Sequence, residues 1–311
     1  KYNIVSVKDY AKKAVSTIND YSKKDIIAVV YAQGEIAGGE GDVNVIGEGS
    51  IKRSLQEARE DDDVKAIVLR VNSPGGSALT SELIWREIEI TKKVKPVVVS
   101  MGNYAASGGY YIAANADRIF AEPNTITGSI GVFGMLPNMN QLGKNIGINA
   151  EQVKTHENAS GYSVFEPIDE NFKGFVLESI EKTYATFLKR VADGRKMTTA
   201  QVDAIAQGRV WTGVDAHKLG LVDEIGGLDA AIKYAAKLGK TSSYRTENYP
   251  EYEKSFEDLL ANFTGMAMFK TKEQLLKEQL GEEGFQMLEQ IKRVKSRKGI
   301  QAIMPYEIQI H

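Results

Sequence analysis

The sequence predicts an α/β fold, in which a parallel sheet is assembled from strands joined by crossover helices. Apolar runs of strand length, such as residues 26–32 and 64–71, lack polar alternation at their centres, which indicates burial on both faces. Segments with the apolar spacing of helices alternate with these runs along the chain. The chain has 311 residues, 42% of them hydrophobic, which is enough to bury a full core.

The amino-terminal elements follow this alternation. An opening helix is predicted to end near Tyr21, and the first buried strand follows at residues 26–32. After a glycine-rich loop, residues 49–62 have helical spacing and residues 64–71 form the second strand. The loop NSPGG, residues 72–76, then leads into another helix. The core positions predicted for that helix are Leu79, Leu83, Ile84 and Ile88.

The third strand starts at KPVVVSMG and runs into the motif NYAASGG. The alternation continues through ADRIFAEP, TGSIGV and LPNMNQLGKNIG. A long amphipathic helix starts near residue 169, and a threonine is predicted to cap the next helix, TTAQVDAIAQG. RVWTGVDAHKLGLVDEIGG is predicted as a helix between two short strands, and LDAAIKYAAKLG as the last core helix.

The composition changes to charged, helical sequence from about residue 245, and IQAIMPYEIQI near the end is compatible with a late strand. These features divide the chain into a linking helix (1–24), a core domain (25–244) and a mainly helical carboxy-terminal extension (245–311). Because the chain begins at Lys1 without a recognisable leader, we expect it to be part of a longer protein.

Composition excludes several functional classes. A net charge of -2 and a pI near 6.1 predict no nucleic acid partner. Without cysteine, the chain can form neither disulfides nor thiolate sites. The sequence contains no HExxH motif, no histidine and carboxylate cluster with ligand spacing, and no GxxxxGKS loop, so we expect no metal and no cofactor. The apolar runs are too short to span a membrane.

Two glycine-rich turns follow buried strands, at the sheet edge where parallel α/β proteins bind ligands. In ASGG, Ser107 is a candidate nucleophile, and the N–H of Gly108 is a candidate oxyanion donor. The turn PGG on the neighbouring strand offers a second donor, the N–H of Gly76. Both motifs are equally compatible with an ordinary turn and a close packing contact between helix and strand.

A serine nucleophile needs a base, and the residues leave its identity open. His217 and His311 are predicted to be surface groups, so His156 is the histidine that could form a pair with Ser107. A surface role for His156 is also compatible with the sequence, because no motif places an acid to orient its imidazole. Lys154, at the end of a strand predicted at EQVKT, is expected to face solvent.

Three long stretches resemble the signal peptide peptidase A (protease IV) family, within the Clp protease and crotonase fold superfamily. They are NSPGG, NYAASGGYYIAANADRIFAEPNTITGSIGVFG and AQGRVWTGVDAHKLGLVDEIG, and the resemblance covers about residues 25–240. It is closest to the second repeat of the tandem form. It implies a serine protease with a Ser-Lys dyad, Ser107 as nucleophile and Ser129 as the residue that orients the lysine.

The family's single-repeat members have their lysine in a loop that here reads HENASGYSVFEP, which contains no lysine. In tandem members the first repeat supplies it. The resemblance therefore implies that the base lies on an amino-terminal repeat, and that this chain alone is inactive. It also implies a peptidase that degrades apolar signal peptides, a tetrameric homo-oligomer, and a location at the cytoplasmic membrane with the catalytic body on the extracytoplasmic side.

Apolar residues near Ile130, Val132 and Phe133 could form a wall of the substrate groove, although core packing would explain them equally well. Two other functions are compatible with the same fold. One is a scaffold or binding module that retains the groove without a base. The other is an acyl-CoA enzyme of the crotonase type, which would need positioned carboxylates and would have no use for Ser107.

Overall fold

The computed structural model describes residues 23–156, 159, 161–250, 281, 284, 285, 288 and 300–304. Its strands are β1 (Asp25–Gln33), β2 (Glu35–Ile36), β3 (Gly41–Asp42), β4 (Val45–Ile46), β5 (Val64–Ser73), β6 (Gly75–Ser77), β7 (Val97–Ala106), β8 (Arg118–Ala121), β9 (Ile126–Gly128), β10 (Val210–Thr212), β11 (Glu224–Ile225), β12 (Tyr244–Tyr249) and β13 (Gln301–Ile303).

The helices are α1 (Glu48–Glu60), α2 (Ala78–Lys92), α3 (Gly108–Ala113), α4 (Asn140–Asn145), α5 (Glu170–Arg195), α6 (Thr199–Ile205), α7 (Gly213–Lys218) and α8 (Leu228–Leu238). Several begin at side-chain caps that satisfy free N–H groups of the first turn. Asp169 caps α5, and Thr198 caps α6 in a reciprocal pair with Gln201. The threonine cap predicted from the sequence is confirmed.

The main sheet has the strand order β10-β9-β7-β5-β1-β12, with β8 beside β7 and β11 beside β8. All of these neighbours are parallel except β9 and β10. A smaller sheet has the order β13-β6-β2-β4-β3. The predicted α/β fold with parallel strands and connecting helices is confirmed.

Helices cover both faces of the main sheet. In β1, Ile26, Ala28 and Val30 pack into the core with α1 and α2, whereas Ile27 and Val29 pack against α8 on the other face. Because strand side chains alternate between faces, a strand covered on both sides needs apolar residues at every position. This double burial explains the continuous apolar runs.

Several local predictions are corrected. Leu79 and Leu83 are exposed, because α2 buries the face that contains Ile84, Trp85 and Ile88. Residues 151–155, predicted as the strand EQVKT, form no strand in the described structure. The predicted loops also contain short strands: NSPGG includes the start of β6, and the glycine-rich loop after β1 forms β2, β3 and β4.

The main sheet continues beyond the predicted boundary at residue 245, because β12 pairs in parallel with β1 from Tyr244 to Tyr249. The predicted opening helix lies outside the described residues. The helical character predicted for residues 251–299 falls largely outside them as well. Within the described part of the chain, no helix combines the length and hydropathy required to cross a bilayer.

Candidate active site

Ser107 lies in a sharp turn between β7 and α3. Its φ is 54°, a left-handed conformation that is costly for a residue with a Cβ and that occurs preferentially at functional sites. The turn is held from both sides: the Ser107 N–H donates to the carbonyl of Gly128 (2.8 Å), and the Ser107 carbonyl accepts from the N–H of Tyr111 (2.8 Å). The surrounding structure thus keeps the serine in a strained position.

The glycines after Ser107 allow neighbouring chain segments to approach closely. A Cβ on Gly109 would lie 2.7 Å from the carbonyl oxygen of Ser73, and one on Gly108 would lie 2.7 Å from the hydroxyl of Ser81. In the second turn, Gly75 has a φ of 104°, which favours glycine. A Cβ on Gly76 would overlap the backbone of Ile36 in β2. Side chains at these positions would push the two turns apart.

The two turns contact each other. A Cβ on Gly108 would lie 3.2 Å from the amide nitrogen of Gly76, and a Cβ on Gly75 would lie 2.8 Å from the amide nitrogen of Gly108. Gly108 is also the first residue of α3, so its N–H has no partner within that helix. The structure therefore brings together the two N–H groups that the sequence singled out as oxyanion donors.

Ser129 lies on the neighbouring strand end. Ala106 of β7 is paired with Gly128 of β9, so Ser107 and Ser129 each follow one member of that pair. Ser129 is buried and has a φ of 47°, and its N–H donates to the carbonyl of Arg209 (2.7 Å). The two serines predicted to act together thus lie at the same end of the sheet.

The predicted groove wall divides into two parts. Ile130 is completely buried in the core, and Val132 is partly buried and packs against that core. Core packing therefore explains these two residues. Phe133 differs, because its backbone exchanges two hydrogen bonds with Gln301. No local sequence pattern indicated this pairing.

The candidate bases within the chain lie elsewhere. His156 is exposed, with its Nδ1 3.3 Å from the hydroxyl of Thr155, and Lys154 is also exposed. His217 is on the surface, with its Nδ1 3.2 Å from the carbonyl oxygen of Val222. His311 lies outside the described residues. The Ser107 hydroxyl donates a long bond of 3.4 Å to the carbonyl of Gly131.

Lys95 is a partly buried lysine, but it lies at the wrong end of the sheet. Burial lowers its pKa, and the nearby acids Asp61 and Asp62 oppose that shift. Its ammonium group donates to the backbone carbonyls of Ala58 and Asp61. Lys95 precedes the ten-residue strand β7 and Ser107 follows it, which separates the two by about 30 Å.

A polar cluster behind the site was not predicted. The Tyr111 hydroxyl donates to Glu82 (2.5 Å), which also accepts two bonds from Arg190 (2.5 and 3.2 Å). The Arg190 guanidinium lies 3.9 Å from the centre of the Trp85 ring. Burial, and then the bond with Glu82, raises the pKa of Tyr111. The cluster connects α2, α3 and α5, and it fixes the helix that follows Ser107.

In the described part of the chain, no group of three or more histidine, aspartate or glutamate side chains is placed to hold a metal ion.

Sequence comparison with known proteins identifies the family of this chain. The model of peptidase family S49 matches residues 89–242. Over 239 residues, 76% of this chain, the sequence is 45% identical to Protease 4 of Haemophilus influenzae. Over 196 residues, it is 34% identical to a Synechocystis protein whose name suggests a protease, and the match covers 62% of this chain and 70% of that protein. The chain belongs to peptidase family S49, as its motifs indicated.

The match with Protease 4 spans 39% of that protein's length. Among solved structures, a ClpP1 mutant from Listeria monocytogenes aligns with 72% of this chain and 99% of its own, at 16% identity and a TM-score of 0.44.

Proposed function

We propose that this chain supplies the nucleophile of a serine endopeptidase, and that Ser107 is that nucleophile. The observation that supports this most strongly is the strained turn that places Ser107 beside two backbone N–H groups from separate loops. Donors positioned in advance around a reacting carbonyl are a main source of catalysis in acyl transfer. Strained backbone that is held on both sides, as at Ser107, occurs preferentially at functional sites.

In the proposed reaction, the base takes the proton of the Ser107 hydroxyl as the Ser107 oxygen attacks the carbonyl carbon of the scissile peptide bond. The N–H groups of Gly76 and Gly108 stabilise the negative charge on the tetrahedral oxyanion. The intermediate collapses to an acyl-enzyme as the amine leaves with a proton from the base. A water molecule then attacks the acyl-enzyme as the base takes one of its protons, and that proton returns to the Ser107 oxygen as the second product leaves.

We propose that the base is a lysine supplied from outside this chain, on an amino-terminal repeat. The exposed Lys154 lacks the burial that a lysine needs to act as a base, and Lys95 is too far away. Ser129, beside Ser107, would hydrogen-bond that lysine. An isolated chain would then be inactive.

The proposed substrates are apolar signal peptides, as the resemblance to signal peptide peptidase A implies. The same resemblance supports a homo-oligomeric assembly at the cytoplasmic membrane. One observation favours a different function, a binding module without catalysis: the Ser107 hydroxyl faces a backbone carbonyl rather than a side-chain base.

The experiment that separates these functions compares serine variants in a protein that joins this chain to a lysine-bearing amino-terminal repeat. Ser107→Ala should abolish hydrolysis of an apolar peptide, and Ser129→Ala should reduce it less. Ser242→Ala, at an exposed serine, is the matched control and should be fully active. Normal turnover by Ser107→Ala would exclude the nucleophile assignment.

A histidine mechanism is tested in the same assay. His156→Ala should leave turnover unchanged, because the imidazole is exposed and bonded locally. A loss as large as that of Ser107→Ala would restore the Ser-His hypothesis.

A further inference from the structure

The strand β13, near the carboxy terminus, inserts between the two segments that border Ser107. On one side it runs antiparallel to β6, with Gln301 opposite Ser77 and Ile303 opposite Gly75. On the other side, Gln301 exchanges two backbone bonds with Phe133, of 2.9 and 3.0 Å. A short segment bonded on both sides in this way has the geometry of an extended peptide added to a sheet edge.

The register of β13 places one carbonyl group against the two candidate oxyanion donors. The N–H of Met304 donates to Pro74, and the N–H of Ala78 donates to Ile300. In an antiparallel pair every second residue pair exchanges bonds, so Ala302 and Gly76, midway between, form a bonded pair. The N–H of Gly76 therefore points at the Ala302 carbonyl.

Gly108 approaches the same carbonyl. A Cβ on Gly108 would lie 3.0 Å from the Ala302 oxygen, and a Cβ on Gly75 would overlap that oxygen. Ala302 is completely buried, and so is Ser107. The Ala302 carbonyl thus occupies the place where the carbonyl of a scissile peptide bond would lie.

We propose that residues 300–304 are an internal occupant of the peptide-binding groove, which excludes substrate until this segment leaves. The proposal rests on the proposed function, because it identifies the groove by Ser107. It also extends that function: recognition through backbone bonds to Gly76, Ala78 and Phe133 would accept extended peptides of varied sequence. By competing with substrate for the groove, this segment, here called the tail, lowers peptidase activity.

The position of the tail can be tested with a disulfide, because the chain contains no cysteine. Phe133 and Gln301 form a bonded antiparallel pair, whose Cα atoms are about 5.5 Å apart. That spacing lies within the range of about 4.4–6.8 Å that disulfides span. Under mild oxidation, the double variant Phe133→Cys and Gln301→Cys should form an intramolecular disulfide.

The matched control pairs Phe133→Cys with Ser242→Cys. Residue 242 lies beyond α8, near the opposite end of the sheet, so these two cysteines should remain reduced. Mass spectrometry of the peptides measures both outcomes. If the double variant at 133 and 301 forms no more disulfide than the control, the tail is not in the groove.

Exclusion of peptides is tested by binding. Ala302→Pro removes the N–H that faces Gly76 and should release β13, whereas Ala302→Gly keeps that N–H and is the control. A fluorescent peptide with the sequence of residues 298–306, followed by anisotropy, should bind Ala302→Pro at least about tenfold more tightly than the parent chain, a difference of about 1.4 kcal/mol. Equal affinities would overturn the proposal.

Hydrogen exchange at Val99 in β7 checks that both variants remain folded. Neither the disulfide nor the binding assay depends on hydrolysis, so the two proposals can fail separately. A disulfide and tighter binding in a protein that cannot cleave peptides would refute the catalytic function alone. Catalysis with no disulfide and no difference in binding would refute the internal occupant alone.

Discussion

Tyr111→Phe tests how the structure holds the helix behind Ser107. The variant removes one hydroxyl, which donates to the Glu82 carboxylate at 2.5 Å, and leaves the ring in contact with Phe187. Hydrogen bonds to charged groups contribute about 1.5–3 kcal/mol. Since Glu82 retains its two bonds from Arg190, we expect the free energy of unfolding to fall by about 1.5 kcal/mol, the lower end of that range.

Urea unfolding followed by circular dichroism measures this loss. With a denaturant slope of about 3 kcal/mol per molar, the midpoint should fall by about 0.5 M. Tyr234→Phe is the control, because the contacts of Tyr234 with Phe120 and Arg118 are made by its ring, and the midpoint should change little. If Tyr111→Phe unfolds at the same urea concentration as the parent, the cluster does not stabilise α3 as argued.

Two further predictions concern stability. Gly109→Ala should lower the free energy of unfolding by about 1–3 kcal/mol, because the added Cβ would lie 2.7 Å from a backbone carbonyl oxygen. Gly174→Ala, in an open position of α5, is the control and should be neutral or stabilising. Equal urea midpoints for the two variants would contradict this prediction. Burial, with its bond to Asp203, raises the pKa of Tyr184 from 10.0 to about 12. The folded state therefore holds this proton more tightly, and stability should decline as pH rises from 10 towards 12. Tyr184→Phe should reduce the decline in thermal unfolding curves, and an unaltered pH profile would refute the assignment.

The elements that the sequence predicted well depend on local patterns. Strands β1, β5 and β7 are covered by helices on both faces, so their apolar residues form continuous runs that are visible in the sequence. The turn at Ser107 was found because a close approach of backbones requires glycines in a recognisable order.

Features that depend on long-range contacts could not be predicted in this way. Glu82 and Arg190 are 108 residues apart, and nothing in either local sequence indicates that they pair. The segment IQAIM was a candidate strand, but its place beside Gly76 follows from tertiary structure alone. Leu79 and Leu83 were misassigned because helical spacing defines a face without showing which face packs inward.

The central claim is that Ser107 is the nucleophile and that its base comes from outside this chain. A serine-directed acylating probe, followed by peptide mass spectrometry, tests it most directly. We expect an adduct on Ser107 when a lysine-bearing amino-terminal repeat is joined to the chain, and no adduct on the isolated chain. Because the tail would also compete with the probe, both proteins are tested as Ala302→Pro as well. Robust labelling of Ser107 in that isolated variant, lost on Lys154→Ala, would show that the chain contains its own base and would contradict the account.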